Sequence, residues 1–165
     1  MAMTIRLDDQ SGFTLIEGLV ATAILGVGVL ALAGMQAIAL ARNVDANELT
    51  RVTNLASDMT ERIQYNRQNV DAYANIDTTA STPCPSTMPI GSRGDCQQWK
   101  ALLEDVTGHL ENVRGTVSVT NMGPTSPPLN QRQVIVAVTW LGSTKSDTSI
   151  KRTKTVTMRT VIAPE

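Results

Sequence analysis

Hydrophobic and polar positions divide this chain of 165 residues into stretches with different periods. The first stretch, Gly18 to Ala41, runs for 24 residues without a charged side chain. As a helix rising ~1.5 Å per residue it would span roughly 36 Å, which exceeds the ~30 Å apolar core of a membrane. The stretch therefore predicts a membrane-spanning helix.

Past Ala41 the pattern changes to that of an amphipathic helix. Apolar residues recur at spacings of three to five, with charged residues between them. They are Val44, Leu49, Val52, Leu55, Met59 and Ile63. Because no proline interrupts Phe13 to Tyr73, we predict one continuous helix of about 60 residues, whose second half packs under a globular head. Gly26, Gly28 and Gly34 lower its helix propensity by up to ~1 kcal/mol each, which fits either close helix packing or local melting during assembly.

After residue 76 the chain alternates between loops and short elements. Residues 77–97 are rich in Thr, Ser, Pro and Gly and predict an irregular loop. Asp95 is the expected N-cap of a short helix that ends at Val106. We expect Trp99, on that helix, to lie in the core rather than to bind a ligand.

Three alternating stretches predict β-strands at residues 113–120, 133–141 and 149–162. A Pro-rich loop, residues 123–128, joins the first two, and a polar connection, residues 142–148, joins the last two. Sequential strands with such returns form an antiparallel meander, with one face toward the long helix and the other toward water. The predicted fold class is therefore α+β: a long N-terminal helix, transmembrane in its first half, packed on a small antiparallel three-stranded sheet.

The composition narrows the classes of partner. The formal net charge is -1 and aromatic residues make up 3% of the chain. No acidic or basic bias points to a nucleic acid or another polyanion as the main partner. The scarcity of aromatic residues argues against a large stacking or carbohydrate-binding platform.

The two cysteines, Cys84 and Cys96, fit a small exported domain. In an oxidising compartment they would close a loop of about a dozen residues, worth roughly 3 kcal/mol in the chain-entropy model. A metal site is the poorer alternative, because two distant thiols and one histidine, His109, do not supply four ligands. We favour the disulfide, and two free thiols are the remaining alternative.

The string Gly12-Phe13-Thr14-Leu15-Ile16-Glu17 stands at the start of the apolar stretch. Its one carboxylate, Glu17, lies five residues after a small residue, at the edge of the hydrocarbon. An ionised side chain is costly there unless it is paired, so we expect a designated partner for it. The alternative is a carboxylate that lies in the headgroup region of an ordinary anchor.

This junction resembles the class III signal of type IV prepilins. In that family a dedicated peptidase cuts after the glycine, here Gly12, and methylates the new amino terminus, here Phe13. The fifth mature residue of the family is a glutamate, here Glu17. The continuation, residues 19–26 and 32–36, looks most like the PilV-type minor pilins, called type IV pilus modification proteins. The resemblance covers residues 11 to about 43 and implies a pilin-like fold.

The resemblance also suggests a partner for Glu17. After cleavage Phe13 would carry a free cationic amine about one helical turn before the carboxylate. In a filament of parallel helices, the amine of one subunit would meet the Glu17 of a neighbour. A buried pair is tolerable, whereas an unpaired buried charge costs several kcal/mol, so the pairing would fix the axial register of the subunits.

An ordinary secretory signal fits less well. Such signals place the small-residue cleavage site after an apolar stretch of about 7–15 residues, whereas here the small residue comes first. The leader holds Arg6 against Asp8 and Asp9, so the orientation rests on the prepilin motif rather than on charge. We therefore divide the chain into a prepilin leader, a transmembrane or filament-core helix, an amphipathic continuation and a globular head with a disulfide loop and an antiparallel sheet. Their residues are 1–12, 13–41, 42–76 and 77–165.

Catalysis finds little support in the sequence. The single histidine, His109, has no acid or nucleophile beside it and is expected at the surface, at a helix end. No nucleophile elbow, phosphate-cradling loop or metal-ligand spacing is present. We predict no catalytic residue, no metal site and no cofactor. The chain would be a substrate of the prepilin peptidase and N-methyltransferase rather than an enzyme.

A basic run near the end of the chain, Lys151, Arg152 and Lys154 with Arg159 beyond, invites a binding hypothesis. Alternation along a strand places Lys151 on the opposite face from Arg152 and Lys154, so the charges form no single stripe. Protection of an exposed sheet edge is the favoured interpretation. Contact with DNA or another polyanion is the less favoured one.

Three hypotheses of function follow. The first is a minor pilin that helps assemble, prime or modify type IV pili, in the service of motility, adhesion or DNA uptake. The second is an I-type minor pseudopilin of a type II secretion system, and the third is a membrane-anchored adhesin or DNA receptor. Residues 30–36 and the sizeable head favour the pilus over the secretion system.

The resemblance implies a set of partners and a location for the first hypothesis. The partners are other minor pilins, the major pilin, the prepilin peptidase, the inner-membrane assembly platform and, before assembly, membrane lipid. The chain would cross the inner membrane once, with its head in the periplasm, and would later enter the filament at the cell surface.

Overall fold

The computed structural model describes residues 13–107, 110–123, 130–142 and 151–164. The chain separates into two compact units, Met1–Ala41 and Arg42–Glu165. Most of the two predicted connections, the Pro-rich loop at 123–128 and the polar connection at 142–148, lies outside the described residues, as does His109.

Helix α1 is the longest element and covers Leu15–Tyr65, 51 residues. In the first unit none of its described residues is buried. In the second unit one stripe of α1 is buried, and its apolar members are Val52, Leu55, Ala56, Met59 and Ile63. Spacings of three and four residues place these side chains on one face, as expected for a helix that covers a core.

The prediction of one continuous helix to Tyr73 is wrong in its last part. The α-helix ends at Tyr65, and a 3-10 helix follows at Arg67–Tyr73. Asn66 between them leaves the helical conformation, with φ -100° and ψ 38°. Its amide donates to Tyr73 Oη at 2.8 Å and to Ser92 Oγ at 3.1 Å. Its side chain thus bonds to residues of two later elements, and these tertiary partners were not visible in the pattern.

Helix α2 covers Ile90–Val106 and begins earlier than predicted. Its N-cap is Pro89 rather than Asp95, so the last part of the predicted loop at 77–97 is helical. Proline is tolerated at a helix start because its missing N–H needs no partner there. Asp95 lies inside α2, where it accepts a hydrogen bond from Tyr73 Oη at 2.5 Å.

The sheet has four antiparallel strands in the order β1-β2-β3-β4. They are β1 Ile76–Asp77, β2 Glu111–Asn121, β3 Arg132–Leu141 and β4 Thr153–Ile162. The α+β class and the antiparallel sheet are confirmed, but the predicted count of three strands is wrong. The additional strand, β1, pairs Ile76 with Val117 and Asp77 with Thr116. Two residues are too few to show a period, so the pattern could not reveal it.

The core lies between the second part of α1, α2 and the inner face of the sheet. Trp99 is fully buried, as predicted, and its Nε1 donates to the carbonyl of Leu55 at 2.8 Å. A Cβ at Gly115 on β2 would lie 2.5 Å from Trp99 Cη2 and 2.6 Å from Leu103 Cδ1. Glycine at this position therefore lets the indole approach the strand. Burial of each large apolar side chain contributes about 1.5–3 kcal/mol.

Cys84 and Cys96 form the disulfide that the sequence favours, across a sequence separation of 12. Cys96 is buried on α2, and Cys84 packs against the core from the preceding segment. The bond links the segment before α2 to the helix itself. It therefore restrains this segment, which has little regular secondary structure.

Candidate functional site

The start of α1 is organised around Thr14. Its hydroxyl oxygen accepts a hydrogen bond from the backbone N–H of Glu17 at 3.4 Å, and its carbonyl accepts one from the N–H of Gly18 at 3.2 Å. Thr14 therefore caps the helix whose first residue is Leu15. Thr and Glu three residues apart at a helix start is the spacing of a capping box. That signal was present in the sequence, and our interpretation of Glu17 as a registry residue alone overlooked it.

Phe13 precedes this first turn and Glu17 lies within it, and both are exposed. The Phe13 ring lies against Gly18, because a Cβ built there would be 3.3 Å from Phe13 Cε1. Gly12, the predicted cleavage position, lies outside the described residues. The roles of Gly12 and Phe13 in processing and of Glu17 in subunit registry stay predictions.

The first unit presents an apolar surface on every side of α1. From Leu15 to Leu40 its large apolar side chains are between 53% and 83% exposed. The hydroxyl of Thr22 is satisfied inside the helix, since it donates to the carbonyls of Gly18 and Leu19 at 3.0 and 2.9 Å. A helix that is apolar all round belongs in a membrane or among other apolar helices. It is long and apolar enough to cross a membrane.

The basic run of the sequence does not form a patch of free cations. Lys154 Nζ lies 2.8 Å from Asp45 Oδ1 and 3.3 Å from Glu48 Oε2, both on α1. Trp140 Nε1 donates to the same Glu48 oxygen at 3.2 Å. Lys151 pairs with Glu111. Two of the three cations that a polyanion would contact are thus engaged within the chain, which weakens the hypothesis of DNA contact.

The Lys154 cluster also has an electrostatic signature. Partial burial by itself lowers the pKa of Lys154, but hydrogen bonds and charge from Asp45 and Glu48 outweigh it, so that pKa is raised. Glu48 is 5% exposed, and a carboxylate so buried is stable only with partners of this kind. The cluster therefore fixes the beginning of β4 to α1 within the second unit.

A second polar cluster fixes the end of α1. Burial, and then the hydrogen bond to Asp95, raises the pKa of Tyr73 to about 12. Arg62 pairs with Asp58 at 2.8 Å and with Asp95 at 3.5 Å. These contacts join α1, the 3-10 helix and α2, and they are structural in character.

A third polar contact lies at the edge formed by β1 and β2. Asp77 receives two hydrogen bonds from Arg114, which hold the pKa of that carboxyl well below its usual range. The pair joins two neighbouring strands, so it too serves the fold.

The described residues contain few groups arranged as a catalytic or metal-binding site. Within them, no three His, Cys, Asp or Glu side chains come close enough to hold a metal ion. The two groups whose pKa values are strongly shifted, Tyr73 and Asp77, have hydrogen-bond partners on neighbouring elements of the fold. The features that remain for function are the capped start of α1 and its apolar surface.

Comparison with known proteins agrees with that assignment. Residues 7–33 match the family described as the prokaryotic N-terminal methylation motif. No curated protein and no solved structure matches the chain. The match supports a protein of the type IV pilin or pseudopilin kind, a substrate of prepilin processing that is anchored in a membrane by its N-terminal apolar helix.

Proposed function

We propose that this chain is a minor pilin subunit that helps assemble, prime or modify type IV pili. The observation that carries the proposal is the first part of α1, whose apolar side chains are exposed on every side within and directly after a matched N-terminal methylation motif. Such a surface requires lipid before assembly and neighbouring helices after it.

The first step would be processing of the leader. The prepilin peptidase would cut after Gly12 and methylate Phe13, which leaves a cationic amine next to the capped turn. Thr14 holds the N–H of Glu17 at 3.4 Å, so this turn is ordered before a neighbour arrives. The amine of one subunit would then pair with Glu17 of the next in a low-dielectric filament core, where an unpaired charge costs several kcal/mol.

The proposal includes a location and partners. The subunit would cross the inner membrane once, with its head in the periplasm, and would enter the filament through the assembly platform beside other minor pilins and the major pilin. The resemblance of residues 19–26 and 32–36 to PilV-type minor pilins supports the subtype. An I-type pseudopilin of a type II secretion system would carry the same N-terminal features.

N-terminal mass spectrometry tests the proposal most directly. The protein would be isolated from sheared surface filaments and from the inner membrane. We expect N-methylated Phe13 in the sheared fraction, and we expect that fraction to disappear when the pilus extension motor is inactivated. Dependence on a secretion motor instead would assign the chain to a pseudopilus. An intact Met1 confined to the membrane, with an active peptidase present, would contradict both assignments.

Replacement of the registry residue provides a second test. We expect Glu17→Ala to be processed normally and to be lost from sheared filaments by roughly tenfold or more, since each ~1.4 kcal/mol of mispairing is a factor of ten. The control is Glu61→Ala, which removes an exposed carboxylate from the second part of the same helix and should leave incorporation unchanged. Normal incorporation of Glu17→Ala would contradict the registry role of Glu17. A membrane-anchored adhesin or DNA receptor would instead be absent from sheared filaments with either residue at position 17, and its location in the membrane would not change.

A further inference from the structure

Strand β4 is a long and regular open edge of the sheet. Its ten residues pair with β3 in unbroken antiparallel register, from Arg132 with Ile162 to Leu141 with Thr153. Among the described residues no strand pairs with its other side. The opposite edge differs, because β1 has only two residues and the register of β2 shifts between Glu111 and Arg114.

The hydrogen-bond pattern shows which backbone groups face the open side. Gly142 N–H donates to the carbonyl of Arg152 at 3.0 Å, which continues the β3–β4 register. Antiparallel strands alternate between hydrogen-bonded and non-hydrogen-bonded pairs, so the even-numbered residues of β4 bond to β3. The N–H and C=O groups of the odd-numbered residues, Thr155, Thr157, Arg159 and Val161, therefore point to the open edge.

Only part of the usual protection of a sheet edge is present on β4. Natural edges are blocked by proline, by bulges, or by charged side chains that point inward or outward. Residues 153–162 contain no proline, and their register contains no shift. Lys154, the one lysine of the strand, is engaged by Asp45 and Glu48. Charged protection within residues 153–162 is therefore limited to Lys154 and Arg159.

Two hollows accompany the edge, one near each end of β4. The first, about 310 Å³, is bounded by Leu49, Trp140 and Thr155. The second, about 350 Å³, is bounded by Gln64, Arg67 and Val161. Thr155 and Val161 are six residues apart, or roughly 20 Å at ~3.3 Å per residue. Because side chains alternate between the two faces of a strand, residues six positions apart on an added strand lie on the same face. Two such side chains can therefore reach both hollows.

The charge of the edge indicates which kind of strand would pair with it. Arg159 is exposed on the outer face, and its cross-strand neighbour is Ile135, followed by Ser118. It has no ion-pair partner among the residues that the structure describes. A carboxylate opposite Arg159 would complement this charge, because opposite charges on paired strands stabilise the pairing.

A second copy of this chain fits the edge poorly. Within the second unit β4 runs in the same direction as α1, since Lys154 contacts Asp45 and Thr160 accepts a hydrogen bond from Gln64. Antiparallel pairing of two β4 strands would reverse the second part of one α1 against that of the other, whereas the subunits of the proposed filament are parallel. Parallel pairing in register would place Arg159 beside Arg159 of the other copy, which is unfavourable.

We propose that the open edge of β4 is a docking site for an extended, acidic segment of another protein chain, which adds to the sheet as a fifth strand. Main-chain hydrogen bonds to residues 155–161 would supply affinity, and Arg159 and the two hollows would supply selectivity.

The test uses the full chain in detergent micelles and a display library of random peptides of about nine residues, long enough for one strand. The blocking variant is Thr157→Pro, because proline removes an N–H that faces the open edge while the bonds to β3 remain. The matched control, Thr157→Val, keeps that N–H. Hydrogen exchange of the Val134, Val136 and Val138 amides, which face β4, verifies that the strand is still paired in the proline variant.

We expect the recovered peptides to carry a carboxylate and to bind Thr157→Val as well as the natural chain. Their affinity for Thr157→Pro should fall by roughly tenfold, because the variant lacks one central N–H donor to the docking strand. Arg159→Glu should lose these peptides and bind versions in which lysine replaces the carboxylate. An empty selection, or equal binding to a folded Thr157→Pro, would overturn the proposal. The proposal would also be overturned if the natural chain self-associates and Thr157→Pro abolishes that association, because the edge would then bind a second copy.

Discussion

The two parts of helix α1 have similar backbone structure but opposite surroundings. In the first unit, large apolar side chains such as Leu25, 68% exposed, have no protein neighbours to cover them. In the second unit, Leu55 on the same helix is 9% exposed and belongs to the core of the head. The apolar residues of α1 before Ala41 thus face an external environment, whereas the buried apolar stripe after it serves the chain's own fold.

This difference shows that the two parts of one helix can make two different kinds of contact. The first part has no charged side chain from Gly18 to Ala41, so over this stretch it can contact a partner only through uncharged side chains. The second part bears charged and polar groups that bond to particular partners, such as Glu48 to Trp140 and Lys154. Substitutions of the same kind should therefore have different results in the two parts.

The largest difference is expected for truncation of leucine. Leu55→Ala should destabilise the head by about 2–5 kcal/mol, the cost of a cavity in a packed core. Leu25→Ala should change the free energy of unfolding of the head by no more than ~0.5 kcal/mol, as for other exposed positions. Denaturant unfolding of both full-length variants in the same detergent, followed by tryptophan fluorescence, measures the contrast. Equal losses in the two variants would show that the two parts of α1 do not differ in this way.

A change from glycine to alanine should give opposite signs in the two units. At Gly115 the new Cβ would meet Trp99 and Leu103 at 2.5 and 2.6 Å, so we expect a loss of about 1–3 kcal/mol from overpacking. At Gly26 nothing lies within 4 Å of the new Cβ, and alanine favours the helix by up to ~1 kcal/mol.

The same unfolding experiment measures Gly115→Ala, and helicity in micelles measures Gly26→Ala. If the Gly26→Ala variant is well folded but absent from sheared filaments, a neighbouring helix packs against that glycine. A stable Gly115→Ala variant would contradict the close approach of Trp99 to β2.

The smallest effect is expected in the pH dependence of the second unit. The folded chain raises the pKa of Tyr73 to about 12, above the ~10 of an unfolded tyrosine. The folded state therefore holds this proton more tightly, and its contribution to stability is complete below pH ~10 and is lost as the pH rises toward ~12. We expect the denaturation midpoint to fall across this window.

Single-tyrosine variants make that measurement specific. Tyr65→Phe leaves Tyr73 as the one tyrosine of the chain, and its ultraviolet absorbance should titrate with a pKa of about 12. Tyr73→Phe should lose the corresponding part of the pH dependence while it keeps the ring in the core. Persistence of the whole dependence in Tyr73→Phe would assign it to other groups.

Much of the fold could be predicted because its signals are local. The uncharged stretch, the change to an amphipathic period and the alternating strands each appear within a short window of sequence. The disulfide was predictable because the chain has only two cysteines. The burial of Trp99 was also anticipated, although the glycine that admits it, Gly115, lies on a strand that sequence proximity does not connect with α2.

The errors arose where distant residues decide local structure. Asn66 ends α1 through bonds to Tyr73 and Ser92, and the start of α2 depends on the packing of its buried face as much as on a cap. Strand β1 exists because β2 supplies its partner residues. The candidate site shows the same division: the Thr14–Glu17 cap was readable from spacing, whereas the engagement of Lys154 by acidic groups on α1 was not.

The sequence by itself determined that this chain has a motif for N-terminal methylation, an apolar helix able to cross a membrane and an α+β head. These properties depend on composition and on periods within one segment, so they need no knowledge of the rest of the chain. Only the tertiary structure decided which cations are engaged, where α1 stops and which backbone groups of β4 are open. Those outcomes depend on contacts between residues such as Lys154 and Asp45, 109 positions apart, and such contacts exist only after the chain has folded.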